Sequence, residues 1–363
     1  MSTFTCKGEP KEPFAEWMFE GLRRTFSEQG YEYYSEPKDD IKLAFNFLDK
    51  ESPRPYRRKA QGTFVVSIVE SHGRPEEVRQ EAYRYLIRSL SNHLIYVCHE
   101  EEDTKLYFLT PEQGKYSITV NSNKTDEDVF REIYDRLEPL ASSQLVIDND
   151  FSEDLPESLW NGDEVTKSLS IAGKKLDDMD LLPTPFPLKE VLPERDIRHI
   201  KKLYGIGGLS YGNLSARKDE GSFWMSASGI DKSRMTEVGK DFLYINGYDT
   251  EKKAMKVSIP PGIEPKRASV DAIEHWKIYR AHPTVGAIVH IHAWMDGIEA
   301  TEVNYPCGTV ELAESVAELV NQSPDPSRAV IGLKNHGLTI TGRSLEDIFE
   351  RIEGKIIPQV PMK

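Results

Sequence analysis

Apolar positions along this chain recur with two different spacings, and its two halves use them differently. In the first half, residues 41–48 and 63–69 are runs rich in β-branched and aromatic side chains, which predict strands. Residues 75–94 repeat apolar side chains at helical intervals (Val78, Ala82, Tyr85, Leu86, Leu90), with Pro75 early, where a helix tolerates it. Residues 94–98, 105–109 and 116–120 predict three further strands. An acidic, capped start near Thr125 opens a second helix reaching about Leu137. The pattern predicts an α+β domain over residues 1–148.

Periodicity then fades. Residues 149–193 are acidic and punctuated near their end by Pro183, Pro185, Pro187 and Pro193, which reads as an acidic, then Pro-rich, linker. A second domain, 194–363, has another texture. It predicts a helix over 196–204, a Gly-rich stretch over 205–217, and strands at 223–228 and 242–244. A helix over 269–281 leads into a β-branched run carrying His290, and helices over 309–319 and 344–353 flank the short apolar run that ends near His336.

At 363 residues the chain has room for two domains, and a hydrophobic content of 38% beside 29% charged residues suits a globular protein. The formal net charge of −14 argues against nucleic acid or an anionic membrane as the principal partner. Cys6, Cys98 and Cys307 lie far apart without CxxC spacing, so neither a disulfide framework nor a thiolate zinc site is expected. No signal-peptide core and no apolar run of about 18 residues occurs, so a cytoplasmic location is expected.

The chemistry concentrates in the second half. His290 and His292 stand two apart in a β-branched run, a spacing that points both imidazoles to one face of a strand. With His336 they describe a divalent-metal site with one position open, although a hydrogen-bonded core histidine fits the pair alone equally well. Residues 212–217 and 226–230 combine Gly with Asn and Ser, suiting either an anion cradle or ordinary turns. The stretch from Gly205 is not a dinucleotide fingerprint, because Ser occupies position 210. Asp271 falls at the start of a predicted helix, as a plain N-terminal acid or as a base beside a metal. His72, His93 and His99 are scattered singly and read as structural.

Taken in order, Gly212-Asn-x-Ser-x-Arg217, Ser226-Ala-Ser-Gly229, Ser269-Val-Asp271, Val289-His-Ile-His-Ala293, Gly308-Thr-x-Glu-Leu312 and Asn335-His-Gly337 resemble the class II aldolase/adducin family. The resemblance covers about residues 194–354. It implies an α/β/α domain around a mainly antiparallel sheet. It also implies His290, His292 and His336 as ligands of a divalent metal, zinc first, with Mn2+, Fe2+ or Co2+ as alternatives. Asp271 falls on the family's catalytic acid, and Asn213, Ser228, Gly229 and Ser269 fall on its substrate or phosphate positions. The implied activity is an aldolase-type lyase that cleaves or forms a C–C bond in a small hydroxy-carbonyl compound through a metal-stabilised enediolate. Epimerase and dehydratase chemistry belong to the same family, and an adducin-like scaffold is the reading from another class. A ligand-sensing or partner-binding role for the first domain is a further reading. A homo-oligomer with a small-molecule substrate is implied, with neither nucleic acid nor membrane as partner. Two departures stand out: Val270 replaces a serine hydroxyl, and the interval from His292 to His336 is shorter than in the family.

Overall fold

The computed structural model describes every residue except 1, 9, 11, 37, 60–62, 101, 102, 111–114, 147, 183–192, 195–210, 359 and 363. The expected helix over 196–204 and the glycines at 205, 207 and 208 therefore lie outside the described residues. The described residues divide into two units, one built mainly from residues up to 142 and the other from residues 143–182 and 211–361.

The first unit holds a mixed sheet. Its strands are β1 (Thr3–Lys7), β2 (Glu32–Tyr34), β3 (Leu43–Phe47), β4 (Phe64–His72), β5 (His93–His99), β6 (Thr104–Leu109) and β7 (Lys115–Val120). They lie in the order β2-β1-β3-β4-β5-β6-β7, parallel from β2 through β5 and antiparallel from β5 through β7. Helices α1 (Pro13–Glu28), α2 (Val78–Arg88) and α3 (Asp126–Ser142) accompany it. The helix expected to run to residue 94 stops at Arg88. Leu90 there takes a positive φ of 54°, and the chain turns directly into β5. Helix α1 had no counterpart in the reading above, yet Met18, Leu22 and Phe26 recur every four residues and all are buried.

The second unit is built on a nine-stranded sheet. Its strands are β8 (Asp148–Ser152), β9 (Asn213–Asp219), β10 (Ser222–Ser226), β11 (Phe242–Asp249), β12 (Ala254–Ser258), β13 (Ala287–Ile291), β14 (Glu299–Ala300), β15 (Val330–Leu333) and β16 (Gly337–Gly342). The order is β14-β15-β16-β13-β9-β10-β11-β12-β8, with parallel pairing only at the outermost pairs. Its helices are α4 (Glu164–Asp178), α5 (Ala272–Ala281), α6 (Val310–Gln322) and α7 (Leu345–Ile352). Thr339 on β16 donates to Glu274 of α5, so α5 covers the face that carries His290, the cross-strand partner of Thr339. A Cβ on Gly342 would meet Ile348 of α7 at 2.4 Å, on the opposite face. Helices thus cover both faces of a mainly antiparallel sheet, the expected α/β/α layering.

Each helix follows from its pattern. In α7, Leu345, Ile348, Phe349 and Ile352 are buried at i, i+3, i+4 and i+7, and Ser344 caps the start by accepting from Asp347 N. In α6, Thr309 accepts from Leu312 N, and Leu312, Val316 and Val320 face the core. Burying one such aliphatic side chain contributes about 1.5–3 kcal/mol.

The linker assigned to 149–193 is corrected. Its first part supplies β8 and α4, and the first unit ends at 142 rather than 148. Helix α4 opens with a reciprocal cap, Asp163 accepting from Thr166 N while Thr166 Oγ1 accepts from Asp163 N. Leu169, Ala172 and Leu176 are buried in the second unit's core. Strand β8 is acidic and has little strand propensity, but it pairs in register with β12 along its length, and Asp150 meets Lys252 at 2.8 Å. Local composition pointed to a linker; tertiary pairing overrides it.

Candidate metal centre

His290 sits on the central strand β13, and His292 lies just past its end. Alternation along an extended chain sends both imidazoles to the α5 face, as the spacing predicted. His336 arrives from the turn between β15 and β16. Asn335 makes that turn possible by adopting a positive φ of 58°, a conformation Asn tolerates better than most residues. Gly337 then passes so close to β13 that a Cβ there would meet the Ile291 carbonyl at 2.2 Å. The "Asn-His-Gly" sequence is thus a geometric requirement of bringing His336 to the pair.

One ligand nitrogen from each of the three histidines lies within 4.8 Å of the other two. His292 Nε2 and His336 Nε2 are 3.2 Å apart, close to the edge of about 3.3 Å expected of two nitrogens bound at about 2.0 Å in a tetrahedron. His290 Nδ1 is 3.0 Å from the Leu338 carbonyl, which can only accept, so Nδ1 carries the proton and Nε2 presents a lone pair. That Nε2 is buried and has no hydrogen-bond partner among the described residues. A buried orphan lone pair beside two further imidazole nitrogens fits a divalent cation. Burial, and then the other two rings, hold His336 well below the usual histidine range. Burial also lowers His290, against the opposing charge of Asp271 and the Leu338 carbonyl. Neutral imidazoles are the form that binds metal.

Asp271 lies at the N-cap of α5 rather than in its first turn, and it is 6% exposed. Its side chain does not cap the helix. Asn213 Nδ2 instead donates to Asp271 Oδ2 at 2.7 Å and to Ser269 Oγ at 3.0 Å. Asp271 Oδ1 is buried without a partner among the described residues. Three of the residues expected around a substrate, Asn213, Ser269 and Asp271, are therefore brought together. Ser228 and Gly229 form the turn after β10. Ala227 bridges Ala268, and Ser228 N donates to the Arg267 carbonyl at 2.8 Å, so this turn runs beside the segment leading to Ser269. Gly229 takes a φ of 68° there. Val270 is exposed, where the resemblance led one to expect a hydroxyl.

One motif residue, Arg217, and one helix residue, His275, are structural supports. Arg217 donates to the carbonyls of Tyr279, His282 and Val285, closing the C-terminal end of α5. His275 is fully buried with Nδ1 2.7 Å from Ser215 Oγ.

The segment from Gln144 to Asn149 also supports the site. Asn149 of β8 accepts from Ala268 N at 2.8 Å, next to Ser269. Val146 N donates to the Gly308 carbonyl at 2.7 Å, and Val310 N to the Gln144 carbonyl at 3.0 Å.

Sequence reasoning missed four side chains here. The ring of Tyr211 lies 5.0 Å from that of His292. Cys307 Sγ lies 3.2 Å from His336 Nε2. Lys232 is 2% exposed, and burial pulls it down to about 8 against the charges of Asp231 and Asp271. Glu274 is 2% exposed; burial, and then Asp271, push its carboxyl well above the usual range. Glu274 had a readable signal, a carboxylate within the arc of α5 that also holds Ile273 and Ile278.

The layering of the second unit and the three convergent histidines agree with what the sequence resemblance to class II aldolase/adducin domains implied. Residues 197–295 match the family model described as Class II Aldolase and Adducin N-terminal domain. The match does not reach the first half. A methylthioribulose-1-phosphate dehydratase from Leptospira interrogans is 32% identical over 110 residues, 29% of this chain and 39% of its own length. Another from Citrobacter koseri is 26% identical over 172 residues, 39% of this chain and 78% of its own. An L-fuculose phosphate aldolase from Methanococcus maripaludis is 29% identical over 100 residues, 22% of this chain and 52% of its own. The Leptospira and Methanococcus matches thus span well under two thirds of those relatives. Among the described residues, no helix is long and apolar enough to cross a membrane.

Proposed function

We propose that this protein is a metal-dependent lyase acting on a small, phosphorylated hydroxy-carbonyl compound. One observation carries the reading: three convergent imidazoles, one with an orphan lone pair, stand beside a buried carboxylate, Asp271, whose charge acts on His290. A divalent ion, zinc first, held by His290, His292 and His336 would supply Lewis-acid stabilisation of a developing oxyanion. Asp271 takes or returns a proton at carbon, its oxygen Oδ2 fixed by Asn213 and Oδ1 left for the substrate. Ser269 and the Ser228–Gly229 turn receive the anionic end of the substrate. Near-complete burial of Asp271 keeps competing water from the proton in transit.

Scission of a C–C bond, as in an aldolase, is the leading reading. Loss of water is the second, supported by the Citrobacter relative that the chain matches over 78% of that protein's length and that is named a dehydratase. Incubating the metal-loaded protein with L-fuculose 1-phosphate and with methylthioribulose 1-phosphate, and identifying products by mass spectrometry, separates the two. The reading is abandoned if the protein binds no stoichiometric divalent metal. It is equally abandoned if metal is retained after His290→Ala and His292→Ala together.

A further inference from the structure

Helix α3 buries Val129, Ile133, Leu137 and Leu140, and the same stripe carries an arginine. Arg136 follows Ile133 by three positions and precedes Leu140 by four, which sets it on the buried side of the helix. Its guanidinium carbon lies 4.5 Å from the ring centroid of Tyr116 on β7 and 5.3 Å from that of Phe108 on β6. Those two rings stack, with centroids 5.3 Å apart and planes inclined by 4°. The ring of His93 on β5 meets both edge-on, 5.7 Å from Phe108 and 6.1 Å from Tyr116.

Two nitrogens around this ring pair are buried and unsatisfied. Arg136 Nη1 and His93 Nε2 have no hydrogen-bond partner among the described residues, and His93 is only 2% exposed. Among the described residues no carboxylate pairs with the guanidinium. Glu132, the acid whose charge acts on Arg136, is held instead by Lys124 at 2.5 Å. Contact with two ring faces offsets part of the cost of burying the cation, but it leaves the in-plane N–H groups unused. Buried charges are ordinarily paired, so two neighbouring unsatisfied groups mark the place of a partner from outside the chain.

The chemistry of that partner follows from the charges. Burial and the charge of Arg136 hold His93 neutral, so the pair supplies one positive charge, which matches a monoanion. The flat N–H fork of a guanidinium matches the two oxygens of a carboxylate. The stacked rings of Phe108 and Tyr116 give an apolar wall beside it. We propose that Arg136 and His93 form a binding site in the first unit for the carboxylate of a small molecule. Arg136 donates Nη1–H to the carboxylate, and His93, as the Nε2–H tautomer, donates a second hydrogen bond. Arg136 is half-buried whereas His93 is enclosed, so the ligand enters from the side of Arg136. The site belongs to the first unit and does not rest on the metal reading above.

The test follows the His93 ring by nuclear magnetic resonance in full-length protein carrying isotopically labelled histidine. The His93 Cε1–H resonance is the one missing from His93→Leu. Acetate replaces chloride at constant ionic strength, and the wild type is expected to show a saturable shift of this resonance. Arg136→Met should abolish the saturable shift. Arg136→Lys keeps the charge but loses the fork, and should weaken acetate binding by about 10-fold, the loss expected when a charge-assisted hydrogen bond goes. Absence of a saturable shift at His93 in the wild type overturns the inference. So does an unchanged dissociation constant in Arg136→Lys, which serves as the reading if Arg136→Met does not fold. A saturable shift confined to the resonances missing from His290→Ala, His292→Ala puts the anion at the histidine cluster and overturns it equally.

Discussion

Asn213 Nδ2 donates to Asp271 Oδ2 at 2.7 Å, and both residues are buried. The bond joins strand β9 to the start of α5 and leaves Asp271 Oδ1 with no partner among the described residues. A carboxylate held by one oxygen and open at the other is positioned to exchange a proton with a bound substrate.

Asp271→Asn keeps the shape and the contact with Asn213 while removing the proton acceptor. Under the proposed function it lowers kcat by about 10²–10⁴-fold, the span of general acid–base catalysis. Its metal content should stay at the wild-type level. Steady-state kinetics with metal analysis checks this, and wild-type turnover in the variant would remove Asp271 from the reaction.

The same site links metal to folding. A divalent ion that binds the native triad stabilises it by about 2.7 kcal/mol at 100 times its dissociation constant. Thermal denaturation should therefore rise with added Zn2+ and fall with a chelator. The double variant His290→Ala, His292→Ala should show neither response. A metal-dependent shift that survives in the double variant would locate the ion elsewhere.

The three histidines were legible because strand alternation and a turn motif are local patterns. Tyr211 and Cys307 were not, since each stands just before a motif, at Gly212 and Gly308, and only the tertiary fold brings its side chain beside the histidines. Lys232 sits in Asp-Lys-Ser-Arg, a charge run that reads as surface, yet it is buried. Helix α4 was hidden by the acidic stretch around it, although the Asp163–Thr166 cap and the Leu169, Ala172, Leu176 stripe were present in the letters. Strand β8 had no signal, because it is a strand only through its pairing with β12.

That hidden helix gives a stability test. Leu169 is fully buried in the second unit's core, so Leu169→Ala should cost about 2–5 kcal/mol in urea denaturation. Gly173→Ala is the sharper case. Helix propensity favours Ala by about 1 kcal/mol, but a Cβ at 173 would meet the Lys232 carbonyl at 2.1 Å. The variant should be destabilised, and a more stable Gly173→Ala protein would contradict the packing of α4.

His93 sets a pH dependence in the first unit, away from the metal centre. It is 2% exposed on β5, with its ring 5.7 Å from that of Phe108. Burial, helped by the positive charge of Arg136, pulls it down to about 3. The unfolded chain binds its proton near the ordinary value of about 6.5, so it takes up the proton first as acid is added. Stability is therefore full above about 6.5 and erodes as pH falls toward 3. Between pH of about 7.5 and 5.5 this residue alone should cost about 1.4 kcal/mol. His93→Leu has no such proton to bind, so the stability gap between wild type and variant should shift toward the variant by that amount over the same interval. Urea titrations of both proteins at the two pH values measure it, and a gap that stays constant would show that His93 is not buried in its neutral form.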